Sequence, residues 1–96
     1  MYYFLFEATP SLRHPETNEV GGAFVNCWIV ANTLADAEIV ARKTICDQNW
    51  IVDEPEEAFE VTRSFYDKES SSLQYYDQAV VDKEVYVFHS FPVEDR

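Results

Sequence analysis

Residues 50–63, Trp50-Ile-Val-Asp53-Glu54-Pro55-Glu56-Glu57-Ala58-Phe-Glu60-Val-Thr-Arg63, decide how the sheet of this chain is assembled. Trp50-Ile-Val-Asp53 has strand character, and Ala58-Phe-Glu-Val-Thr-Arg63 resumes it, with β-branched and aromatic residues in both pieces. Between them Glu54-Pro55-Glu56-Glu57 carries a residue with no N–H to give a sheet ladder. The simplest reading is a hairpin with the acidic Pro segment at its turn. One long strand interrupted by a bulge is the competing reading.

On the N-terminal side of this stretch lies the clearest helix, over residues 33–47. Thr33 is a suitable N-cap, and Asp36 falls where the first-turn amides are exposed. Leu34, Ala37, Val40, Ala41 and Ile45 share one face at helical spacing. Glu38 and Arg42 make an i,i+4 pair in the favourable order. Before the helix, residues 23–31 read as a strand opened by Gly21-Gly22, and residues 2–9 as another, ended by Pro10. The polar stretch 10–19 between them reads as a loop.

On the C-terminal side, 64–70 is a connector. Ser71 with Gln74 has the form of a capping box. Leu73, Tyr76 and Val80 then share a face, which predicts a second helix near 71–82. A last strand covers 84–91 and is closed by Pro92. The order is β, then β-α-β-β-α-β. The expected fold is α+β: an antiparallel sheet of four to five strands with two helices on one face. Its last six elements match the split βαβ arrangement of the ferredoxin-like fold, preceded by an extra N-terminal strand. The likeness is one of architecture, and no family signature accompanies it.

The totals agree with one small domain. The chain has 96 residues, 47% of them apolar and 16% aromatic, enough for a single core. Its formal net charge is −11. Phosphate backbones and anionic lipid surfaces repel such a chain, and only Arg42 and Lys43 among its basic residues are adjacent. No nucleic acid and no membrane are therefore expected as partners. The apolar start, Met1 to Phe6, lacks a basic leader and is interrupted by Glu7, so neither a signal peptide nor a span is expected. A cytoplasmic location is the default. Cys27 and Cys46 make neither a disulfide scaffold nor a metal signature, and no cofactor is expected.

Strand side chains alternate between faces, yet neither face of these strands is plainly polar. In the first strand Tyr2, Phe4, Phe6 and Ala8 oppose Tyr3, Leu5 and Glu7. In the second, Phe24 and Trp28 oppose Val25, Cys27 and Ile29. In the last, Val85, Val87, His89 and Phe91 oppose Tyr86, Phe88 and Ser90. With both helices on one side, a second apolar face must be covered. A homodimer or another protein partner would cover it, or else the connector around Phe65 and Tyr66 would do so within one chain.

Candidate chemistry is sparse. A Cys27–His89 nucleophile pair would need the two side by side, and nothing in the spacing places them so. His14, Glu16 and Glu19 share a loop without the enforced geometry of a metal site. Cys46 and Ile39 lie together outside the main helical stripe. Asp53, Glu54, Glu56, Glu57 and Glu60 form an acidic run without the glycine of a calcium loop. It reads as a solvated turn or as a knuckle that docks on a basic surface. The leading expectation is a non-enzymatic protein-interaction or regulatory domain, with Glu54, Glu56 and Glu57 as docking residues. The alternative is a small-molecule-binding or enzymatic ferredoxin-like dimer, with Trp28, Trp50, Tyr86 and His89 around the ligand.

Overall fold

The computed structural model describes residues 1–15 and 18–93. Along the chain run β1 (Tyr2–Pro10), β2 (Val20–Ile29), α1 (Leu34–Asp47), β3 (Trp50–Val52), β4 (Glu57–Glu60), α2 (Ser71–Asp82) and β5 (Glu84–Pro92), with a short 3-10 turn at Arg63–Phe65 between β4 and α2. All strand pairings are antiparallel, in the order β3-β1-β2-β5, and β4 also pairs with β1.

The stretch 50–63 is therefore one interrupted edge strand, and the hairpin reading is corrected. β3 pairs with Ala8–Pro10, and β4 pairs further back along the same strand, with Tyr2–Leu5. Across β3 the paired numbers sum to 60 (Ala8 with Val52), and across β4 to 62 (Phe4 with Ala58). Two extra residues are thus looped out around Pro55, where the ladder would need a donor that proline lacks. Glu56 N–H closes the excursion on Leu5 O at 2.8 Å.

This pairing also changes the topology. β2 and β3 are parallel to each other with β1 between them, so β2-α1-β3 is a split βαβ unit. The extra N-terminal strand fills the central slot that the second hairpin strand takes in the ferredoxin-like order. That order is accordingly not the one found.

The two helices lie on opposite faces, which corrects the one-sided expectation. On the first face, α1 sets Ala37, Ala41 and Ile45 over Phe4, Phe6, Ala8, Val25, Cys27 and Ile29, all buried. Ala8 and Ala23 are paired there, and Trp50, in the same buried cluster, meets Phe88 of β5 at 5.9 Å between ring centroids. On the second face, Tyr3, Trp28, Val61 and Ala79 form a separate core, with Phe59, Tyr66, Tyr75, Tyr76 and Val85 packed around it. Both faces of the central strands read as apolar because both carry a helix.

The helix ends show how local chemistry sets the boundaries. Thr33 Oγ1 accepts from Asp36 N–H at 3.1 Å, as its position predicts. At α2 the cap is Ser70, whose Oγ accepts from Ser72 N–H at 3.1 Å. The expected Ser71–Gln74 capping box is not formed: the cap falls one residue earlier, where Ser70 holds the extended backbone that a cap requires, and the third helical position is then Leu73, which cannot reach back. Both helices end next to a residue with positive φ, Asn49 after α1 and Lys83 after α2.

Candidate functional site

The second face is covered over only half its length. The registers arrange its side chains in four rows across the sheet. The first row is Phe59, Tyr3, Trp28 and Val85. It lies under α2 and the connector: Trp28 meets Tyr75 at 5.2 Å, and its indole N–H donates to Tyr66 Oη at 2.8 Å. The second row is Glu57, Leu5, Asn26 and Val87, where Asn26 Nδ2 donates to Tyr3 Oη at 2.6 Å. Burial raises the pKa of both Tyr3 and Tyr66, against the opposing hydrogen bonds from Asn26 and Trp28. These phenols stay neutral at physiological pH and act as structural acceptors.

The third and fourth rows are open. Glu7, Phe24 and His89 make the third, and Ile51, Thr9, Gly22 and Phe91 the fourth. Phe24 is 38% exposed and Ile51 is 54% exposed, whereas Tyr3 and Trp28 of the first row are buried at 9% and 2%. The Phe24 and Phe91 rings are 5.7 Å apart. Gly22 makes this floor possible: a Cβ there would stand 2.6 Å from Phe91 Cζ and 2.8 Å from Ala8 O. The ring lies where a side chain would otherwise be.

The acidic excursion borders this floor. Glu7, Thr9, Ile51, Asp53, Glu54 and Glu56 line one groove of about 320 Å³. Glu54 also reaches Arg42 of α1 at 3.5 Å, while Arg42 Nε donates to Glu38 at 2.8 Å and the guanidinium lies 5.6 Å from the Phe6 ring centroid. Arg42 thus stands between the excursion and the first-face helix, with Glu54 itself almost wholly in solvent. Such an exposed pair contributes little to stability, on the order of 0–1 kcal/mol. What the arrangement offers is a shallow apolar floor beside a row of carboxylates. That suits a ligand with both apolar and cationic groups.

The other singled-out residues are dispersed. Trp50 and Tyr86 belong to the first face, and Trp28 and His89 to the second, with Trp28 buried beneath α2. The quartet of the small-molecule alternative therefore does not share one surface. Cys27 is buried on the first face, where desolvation raises its thiol pKa well above the ordinary range, and His89 is exposed on the opposite face. They do not meet, and the thiol is held protonated. Tyr86 Oη is buried beside Thr44 and Glu84; among the described residues it has no hydrogen-bond partner, and burial raises its pKa. His14 packs edge-on against Trp50 at 4.4 Å, and its proposed co-ligand Glu16 lies outside the described residues. Among the described residues, no three His, Cys, Asp or Glu side chains are grouped to hold a metal ion. Ile39 and Cys46 are both exposed on α1.

The open floor was missed as a unit in the sequence. Alternation does put Phe24 with Trp28, and His89 with Phe91, but only the pairing register joins those sets across strands. No family model, curated protein or solved structure matches the chain. Among the described residues, no helix is long and apolar enough to cross a membrane.

Proposed function

We propose that this domain is a non-enzymatic interaction module that docks a basic, apolar-bearing segment of a partner protein on the open half of its second sheet face. The observation that carries this reading is the juxtaposition of the exposed Phe24 and Ile51 and the half-buried Phe91 with the carboxylates of Glu7, Asp53, Glu54 and Glu56. Apolar rings give such a contact its affinity, and the acidic border gives it orientation and a fast, salt-sensitive association. Glu57, at the open end of the second row, extends the border. The net charge of −11 acts in the same direction by steering cationic partners towards the molecule. A regulatory or accessory role inside the cell fits a module of this kind.

A synthetic peptide of alternating lysine and phenylalanine serves as the probe, with a glutamate–phenylalanine peptide as the control. Amide chemical shifts should move along rows three and four with the lysine peptide alone. Reversing Glu54 and Glu56 to lysine should weaken that binding at least about tenfold and flatten its salt dependence. Shift changes scattered over both faces, or an affinity indifferent to charge reversal, would sink the reading.

A further inference from the structure

We infer that β5 is a self-association edge, at which two copies of the chain pair their β5 strands antiparallel about a twofold axis and join their sheets into one. Among the described residues no strand occupies the outer side of β5. Its backbone polarity is readable from one bond. Val30 N–H donates to Lys83 O at 2.8 Å, and that pair continues the β2–β5 register. Antiparallel pairs alternate between bonded and non-bonded. Val85, Val87 and His89 therefore turn their backbone groups towards β2, and Tyr86, Phe88 and Ser90 turn theirs outward.

The two edges of the sheet differ in how they meet solvent. The β3–β4 edge is broken by the excursion at Pro55 and studded with Glu57 and Glu60, devices that block strand addition. β5 has none of them between its ends. Residues 85–91, Val-Tyr-Val-Phe-His-Ser-Phe, contain no Asp, Glu, Lys or Arg in a chain that has 25 of these residues, 18 acidic and 7 basic. An uncharged edge on so acidic a protein is where a second copy approaches without like charges opposed.

Charge also distinguishes this occupant from the basic partner proposed above. The carboxylates of the groove lie along β1 and the opposite edge, so a cationic strand gains no ion pair from residues 85–91. The register that uses the whole strand is centred on Phe88. Phe88 then faces its own mate, Tyr86 faces Ser90, Val87 faces His89, and Val85 faces Phe91. Tyr86 and Phe88 are only half-buried on the first face, and the second copy would cover them further. An edge contact of nine residues is below the area of a standard interface. The dimer is therefore weak and concentration-dependent, and salt strengthens it by screening two copies of a −11 charge.

The test is sedimentation equilibrium across a concentration series at low and high salt, paired with amide hydrogen exchange. A monomer–dimer equilibrium favoured by salt is expected, with the Tyr86, Phe88 and Ser90 amides becoming protected as concentration rises. Ser90 is exposed, so Ser90→Pro removes an outward donor while leaving the β2 ladder intact. It should raise the dissociation constant at least about tenfold without lowering the monomer's melting temperature greatly. Ser90→Glu keeps every donor, adds charge at the edge, and should weaken the dimer in a salt-dependent way. A monomeric mass throughout, with exchange at these amides independent of concentration, would overturn the inference. So would a dimer that both variants leave intact. Peptide docking weakens with salt whereas this association strengthens, so the two readings fail independently.

Discussion

The indole N–H of Trp28, at the centre of the sheet, donates to the hydroxyl of Tyr66 in the connector, 2.8 Å away. Trp28 is 2% exposed, so in the folded chain that donor relies on Tyr66 rather than water for an acceptor. The bond fixes the chain between β4 and α2 onto the second face and thereby sets where the open half begins. Tyr66→Phe keeps the ring and its contact with Tyr76 but leaves the indole N–H without an acceptor. A buried donor stranded in this way costs about 1–3 kcal/mol. Urea unfolding should show that loss, with tryptophan emission reporting the altered surroundings of Trp28. A midpoint equal to the parent's would mean that water reaches the indole.

Much of the fold is legible because it depends on local signals. Thr33 and Asp36 announce α1, and the apolar alternation of residues 2–9 and 84–91 announces their strands. What the sequence does not display is which strand edge a segment joins. Residues 50–63 satisfy both a hairpin and an interrupted strand locally. The choice between them rests on β1, whose two halves offer Ala8–Pro10 to β3 and Tyr2–Leu5 to β4. The side chosen by α2 is likewise a tertiary matter, set by the unsatisfied apolar group Tyr3, Trp28 and Val85. The acidic border of the candidate site was visible as a run of carboxylates. Its floor was not, because Phe24, Phe91 and Ile51 sit on three strands that only the register brings together.

Gly22 and Phe91 should be energetically coupled. An alanine methyl at Gly22 would press on Phe91 Cζ at 2.6 Å and on the Ala8 carbonyl oxygen at 2.8 Å. The ring can swing aside, but the carbonyl belongs to the sheet. Gly22→Ala should therefore destabilise by about 1–3 kcal/mol. In a Phe91→Ala background the same change should cost at least about 0.5 kcal/mol less, without becoming neutral. A double-mutant cycle by thermal unfolding measures this, and strict additivity would show that the ring does not rest on Gly22.

Lys83 joins α2 to β5 with φ of 75°. Its N–H bonds Ala79 O, which closes the helix, so the left-handed backbone is required there. A side chain with a Cβ makes that conformation unfavourable by about 1 kcal/mol, and glycine relieves it. Lys83→Gly should raise stability by about 0.5–1 kcal/mol, less the glycine's greater freedom in the unfolded chain. Lys83→Ala should give no gain. A lower urea midpoint for the glycine variant would show that the Lys83 Nζ contact with Val80 O, at 3.4 Å, outweighs the backbone term.

Alkali should unfold this protein by a route that begins at Cys27. Burial raises the pKa of the folded Cys27 thiol far above its ordinary value of 9.0. Below about pH 8, folded and unfolded thiols both hold the proton, and the group's contribution to stability is constant. Above that, the unfolded thiol ionises while the folded one does not, so unfolding releases a proton and stability falls as pH rises. One such group gives a slope of at most about 1.4 kcal/mol per pH unit. From pH near 10, Tyr3, Tyr66 and Tyr86 add to it in the same direction, because burial raises each of them above 10.0. Urea unfolding at pH 7, 8, 9 and 9.8 should show a flat region followed by a decline. Cys27→Ala lowers stability throughout through the lost sulfur contacts, yet its decline between pH 9 and 9.8 should be shallower by up to one proton. Thiol labelling gives a second reading of the same burial: under native conditions the exposed Cys46 reacts at once, whereas Cys27 waits for unfolding. Parent and variant curves that stay parallel above pH 9, or two thiols that label together, would mean that Cys27 is open to water in the native state.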